Sequence, residues 1–140
     1  MEIKRVKRPQ TIGEEIANAV SHGAGALLAV AGAVPLIVRG IMSGSPKTVF
    51  SLAAYGVSLI LLYTASTVYH AVQRPDLKRA LRVMDHCSIF VLILGTYIPM
   101  SLLVVGGKTG WMLFLTNTTL AVVGITLNAI DLKRFDKLSL

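Results

Sequence analysis

The chain has 140 residues, of which 54% are hydrophobic and 15% charged, with a formal net charge of +7. A soluble domain of this size carries charge on about a quarter of its residues, so this composition excludes an ordinary soluble protein and points to a bilayer. The basic excess flanks the apolar runs and has no aromatic or Gly-rich stacking motif beside it, which excludes nucleic acid as the expected partner and leaves anionic lipid headgroups.

Four windows are long enough to cross a hydrocarbon core as helices: residues 16–38, 49–69, 85–105 and 111–130. Their apolar runs are continuous rather than alternating, so strands fit poorly. The expected fold is therefore all-α, a polytopic transmembrane bundle of four spans forming one domain over residues 1–140.

The first window follows a basic arm, Lys4, Arg5, Lys7 and Arg8, but Glu14 and Glu15 interrupt the charge. Its apolar run also exceeds the ~7–15 residues of a cleaved signal, so the helix is expected to be retained. Along it, Glu15, Asn18 and His22 fall at i, i+3 and i+7, one polar stripe. Gly25, Ala29 and Ala33 form a ridge of small residues suited to close helix approach.

Arg39-Gly40 and Ser43-Gly44-Ser45-Pro46-Lys47 mark the first turn. On the second window Tyr63, Ser66 and His70 repeat the stripe spacing seen on the first. Gln73-Arg74-Pro75-Asp76 then breaks the helix. Beyond it, Leu77, Leu81 and Met84 stand opposite Lys78, Arg79 and Arg82, as in an interfacial turn whose basic side chains lie among headgroups.

On the third window Asp85, Ser88 and Thr96 share a face, whereas His86 and Cys87 turn about 100° and 200° away from Asp85. Cys87 is the sole cysteine, so no intrachain disulfide is possible; it reads as a packing residue. Pro99 is expected to kink the helix, with Thr96 satisfying the freed backbone. Gly106-Gly107-Lys108-Thr109-Gly110 makes the last turn, and Asn117, Ala121, Gly124 and Asn128 line one side of the fourth window.

Charge sets the expected orientation. The amino-terminal arm, the second connection (Arg74, Lys78, Arg79, Arg82) and the tail (Lys133, Arg134, Lys137) hold the basic residues, against Arg39, Lys47 and Lys108 on the other side. The positive-inside rule then puts both termini in the cytoplasm. His22, His70 and Asp85 would all lie toward the cytoplasmic leaflet of the cell membrane.

Ionisable groups inside a membrane are rare and mark function unless they pair. Two readings of this convergence stand. In one, Ser66 bonds a neighbour and His70 pairs with Asp85 as interhelical packing contacts of ~0.5–2 kcal/mol each. In the other, imidazole and carboxylate serve as zinc ligand types, although a catalytic zinc normally takes three protein ligands and this set is incomplete.

Three ordered motifs carry a family resemblance: Glu14-Glu15-Ile16-Ala17-Asn18-Ala19-Val20-Ser21-His22-Gly23, Ser66-Thr67-Val68-Tyr69-His70, and Asp85-His86-Cys87-Ser88-Ile89-Phe90 with Gly95-Thr96-Tyr97-Ile98-Pro99. The chain resembles the bacterial haemolysin III family, kin of the progestin and adipoQ receptors and more distantly of alkaline ceramidases. The resemblance implies the first four helices of a seven-helix membrane protein with a zinc site near the cytoplasmic leaflet. It implies that His70 is a metal ligand, and that Ser66 and Asp85 flank the metal's water in the hydrolysis of a lipid amide.

The family's other two zinc histidines belong to a late His-x-x-x-His motif on the seventh helix, which His22 and His86 do not match. The expectation is a chain shortened after its fourth helix, or one completed by a partner, and an incomplete site in this short form. Two alternatives remain. One is a membrane-permeabilising pore, a homo-oligomer assembled through the Gly25/Ala29/Ala33 ridge; the other is a structural or receptor-like subunit.

Overall fold

A computed structural model describes residues 10–130. The basic arm Lys4–Arg8 and the tail residues Lys133, Arg134 and Lys137, which entered the orientation argument, lie outside the described residues. Four helices follow in order: α1 (Ile12–Met42), α2 (Pro46–Ala71), α3 (Pro75–Pro99), which runs on as a π-helical segment (Met100–Val105), and α4 (Gly107–Ile130). No strand occurs among the described residues. Each of the four is long and apolar enough to cross a membrane, so the chain is an all-α, multi-pass membrane protein.

The helices extend past the apolar windows because polar residues end them. At α1, Thr11 caps the first turn: the Glu14 amide donates to its Oγ1, and Glu14 Oε2 accepts from the Thr11 amide at 2.7 Å. This reciprocal pair satisfies two otherwise orphaned donors. Ser45 caps α2, with Pro46 at the first helical position where its missing N–H costs nothing. Pro75 opens α3 in the same way, so the amphipathic turn Leu77–Met84 is continuous with the third span.

Pro99 acts as expected in disturbing the helix, but the backbone responds by changing register. Beyond it the Gly106 amide donates five residues back to the Ser101 carbonyl, the π pattern. Thr96 does not serve the carbonyl of Gly95, which Pro99 leaves without a helical donor. Its hydroxyl donates to Leu92 instead, because that carbonyl lies in reach of a helical threonine's preferred rotamer.

Neighbours in sequence are neighbours in space. α1 packs on α2, α2 on α3 and α3 on α4, while α1 and α4 share no contact, so the spans form an open row. The Gly25/Ala29/Ala33 ridge is spent inside this row. Ala29 and Ala33 are buried, a Cβ on Gly25 would meet the Tyr63 ring at 2.7 Å, and a Cβ on Gly56 would meet the Ala33 Cβ at 2.8 Å. The surface through which a pore was to assemble is covered by α2.

The α4 stripe likewise faces α3, where Gly124 makes room for the Phe90 ring and Ala121 is buried. Close backbone approach through small residues is the usual way such spans gain dispersion contact, since lipid offers no hydrophobic drive between helices.

Candidate functional site

The antiparallel packing of α1 on α2 brings the two polar stripes together at one end of the row. Gly23 lies against Thr67 and Gly25 against Tyr63, and this register sets His22 beside Ser66 and Glu15 beside His70. His22 Nδ1 is 2.5 Å from Ser66 Oγ, and His70 Nδ1 is 2.7 Å from Glu15 Oε2. Both α2 residues are buried.

Glu15 joins three helices. Its second oxygen, Oε1, accepts from Lys78 Nζ of α3 at 2.9 Å, and Lys78 also donates to the Tyr69 carbonyl at 2.9 Å. The ammonium stands 4.6 Å from the centre of the Tyr69 ring, a cation–π contact. A carboxylate facing a lysine on one oxygen is an acceptor on the other, so His70 Nδ1 carries the proton and donates. That choice leaves His70 Nε2 as the nitrogen with the lone pair.

His70 was expected to face Asp85, and its hydrogen-bond partner is instead Glu15. The reason is register: α1 reaches the end of α2 with Glu15 at the height of His70. Lys78, expected among headgroups, turns inward for the same reason, drawn by that carboxylate to a position only 22% exposed. The i, i+7 spacing of Glu15 and His22 was visible in the sequence; their partners were not.

Asp85 lies higher in the row. A Cβ on Gly95 would approach the Ala54 carbonyl and the Ser58 side chain, so ten residues back along α3 and ten forward along α2 bring Asp85 level with residues 64–68, the height of Ser66. Its carboxylate is 3.8 Å from His86 Nδ1, which donates to the Arg82 carbonyl at 2.9 Å, and its own carbonyl accepts from the buried Ser88 hydroxyl at 2.6 Å. Cys87 turns toward α4, its Sγ 3.8 Å from the Ile125 carbonyl, as a packing residue does.

Ring contacts complete the cluster. His22 meets Tyr63 and His70 edge-on, with centroids 5.9 and 5.8 Å apart, and Tyr69 tilts over His70 at 4.7 Å. A histidine whose Nδ1–H is held by a carboxylate is the form in which imidazole binds a metal through Nε2. Among the described residues no group of three His, Cys, Asp or Glu side chains is placed to hold a metal ion. The described residues therefore do not by themselves make a metal site; His70 Nε2 is the one imidazole nitrogen of the cluster whose ring is fixed by a carboxylate.

Residues 10–140 match the sequence model of the family described as "Haemolysin-III related". The chain is 38% identical over 136 residues to Hemolysin-3 of Bacillus cereus, covering 97% of this chain and 62% of that protein. It is 41% identical over 129 residues to the Hemolysin-3 homolog of Bacillus subtilis (strain 168), covering 92% of this chain and 61% of that one. No solved structure matches. This chain thus spans somewhat over three fifths of the length of these two relatives, and across nearly all of its own length it belongs to the haemolysin III family.

Proposed function

We propose that this chain forms one part of a zinc-dependent hydrolase-type site acting on a lipid amide at the cytoplasmic leaflet of the cell membrane, with the remaining metal ligands supplied from outside the four described helices. The observation that carries this reading is the Glu15–His70 bond. A buried imidazole fixed at Nδ1 by a carboxylate has its Nε2 lone pair committed to a single direction, the usual second contact of a metal-binding histidine.

Zinc, when bound, supplies a Lewis acid and a water that ionises near neutral pH. The chain's own residues do the rest. Glu15 holds the tautomer and ring plane of His70, Ser66 offers a hydroxyl one helical turn away on α2, and Asp85 offers a carboxylate at that height for proton transfer. The Tyr63 ring stands against His22 and the Tyr69 ring against His70.

The test is a Zn²⁺ titration of the purified chain in detergent. Saturable binding is expected, weak because one histidine cannot hold a catalytic zinc, lost with His70→Ala and kept with His86→Ala. Zinc uptake that His70→Ala leaves unchanged would remove the metal reading.

Orientation is the second part of the proposal: both termini and the α2–α3 connection face the cytoplasm. In a Cys87→Ser background, cysteine reporters at Arg74 and Lys108 are expected to label from opposite sides of intact cells, Lys108→Cys from outside and Arg74→Cys only after permeabilisation. The reverse labelling pattern overturns it.

A further inference from the structure

The α1 stripe holds a residue that the metal reading does not use, His22. Its bond to Ser66 differs from the other hydroxyl contacts of α2. Ser51, Ser58 and Thr67 each donate to a carbonyl of their own helix, those of Lys47, Tyr55 and Tyr63. That is the default for a helical hydroxyl in lipid, because it needs no partner helix. Ser66, 3% exposed, bonds instead across the helix boundary to the His22 ring.

The rest of the packing keeps that ring in place. Gly25, one turn further along α1, has no Cβ, so the Tyr63 ring can lie flat against the helix and meet His22 edge-on at 5.9 Å. The His70 ring also meets it edge-on, at 5.8 Å. With Nδ1 engaged by Ser66 and the ring in contact with two aromatic neighbours, His22 has little rotamer freedom.

We propose that His22 is a positioning residue for Ser66, so that α1 works as a clamp on both polar residues of α2: Ser66 through His22, and His70 through Glu15. The two contacts sit seven residues apart on α1 and four apart on α2, at the same end of one antiparallel pair. The clamp holds the serine oxygen at a fixed point against His22 Nδ1, one helical turn before His70 on α2. This role rests on the reading of His70 as a metal ligand for its purpose, though not for its geometry.

The experiment is NMR of the protein in micelles with ¹⁵N-labelled histidine, whose three imidazoles (His22, His70, His86) are assigned by single substitutions. Ser66→Ala is expected to move the His22 ring signals and Ser66→Thr, which keeps the hydroxyl, to restore them. The His70 and His86 signals should hold in both variants, reporting an intact fold. His22 signals indifferent to Ser66→Ala would overturn the clamp.

Zn²⁺ alone is then added. Movement of the His70 signals while the His22 signals stay supports both readings. Equal movement of His22 makes it a ligand and overturns the positioning role. If neither ring responds, the metal reading fails while the Ser66→Ala and Ser66→Thr pair still decides the clamp.

Discussion

Glu15→Ala is expected to cost more stability than any other single loss of charge in the described residues, roughly 3–5 kcal/mol, because it strips a largely buried cation and a buried imidazole of one shared acceptor. Among the described residues Lys78, already only 22% exposed in the intact protein, would keep the Tyr69 carbonyl and ring as its contacts, and His70 Nδ1–H would lose its acceptor. The modest exposure of Lys78 lets water soften the loss, which places the value toward the lower end of that range. Denaturant unfolding in mixed micelles measures it.

Two controls separate a three-helix bracket from a simple charge effect. The Arg74–Asp76 pair is open to solvent, 73% and 62% exposed, and Asp76→Ala is expected to cost at most about 1 kcal/mol. Glu15→Gln combined with Lys78→Met should recover much of the loss, since both ends of the buried ion pair are then neutral. The same Glu15→Ala protein carries a second expected result on the proposed metal site: Zn²⁺ affinity at His70 falls about 10–100-fold as the imidazole loses its orienting carboxylate. A Glu15→Ala cost no larger than that of Asp76→Ala would show that the bracket contributes nothing.

Apolar runs of membrane length are the loudest signal a sequence carries, which is why the four spans are legible from hydropathy alone. Their ends are less so. α1 begins at Ile12 because Thr11 and Glu14 cap it, and α3 begins at Pro75 because an amphipathic turn precedes its apolar stretch; neither feature raises mean hydropathy. The polar stripes on α1 and α2 are also legible, since i, i+3, i+4 and i+7 spacing defines a helix face.

What periodicity does not contain is the height at which two helices meet. That is set by contacts between small and large residues: Gly25 with Tyr63, Gly56 with Ala33, Gly95 with Ser58. A sliding register of one turn would exchange partners, so His70 could be placed on the correct face and still be assigned to Asp85 rather than Glu15. Lys78 shows the same gap, because a basic residue in a headgroup-level turn reads as lipid-facing until a buried carboxylate on another helix is put within its reach.

Since register decides the site, a large steric effect is expected at Gly95, where α3 meets α2. Its added Cβ would run into the Ser58 side chain and stand 3.2 Å from the Ala54 carbonyl, and the second of these is backbone that no rotamer change can move. Gly95→Leu should therefore push α3 off α2 at a cost of ~1–3 kcal/mol or more, the usual range for overpacking a close contact. Gly32→Leu is the matched control, since nothing lies within 4 Å of its Cβ position and helix propensity favours the change. The displacement has a chemical consequence as well. α3 carries Asp85 and Lys78 together, so separating it from α2 should loosen the Lys78–Glu15 bond and shift the His70 ring signals along with stability. Unfolding and histidine NMR on the two glycine variants read both effects, and Gly95→Leu protein as stable as Gly32→Leu, with unmoved His70 signals, would mean that the α2–α3 contact does not set the height of the site.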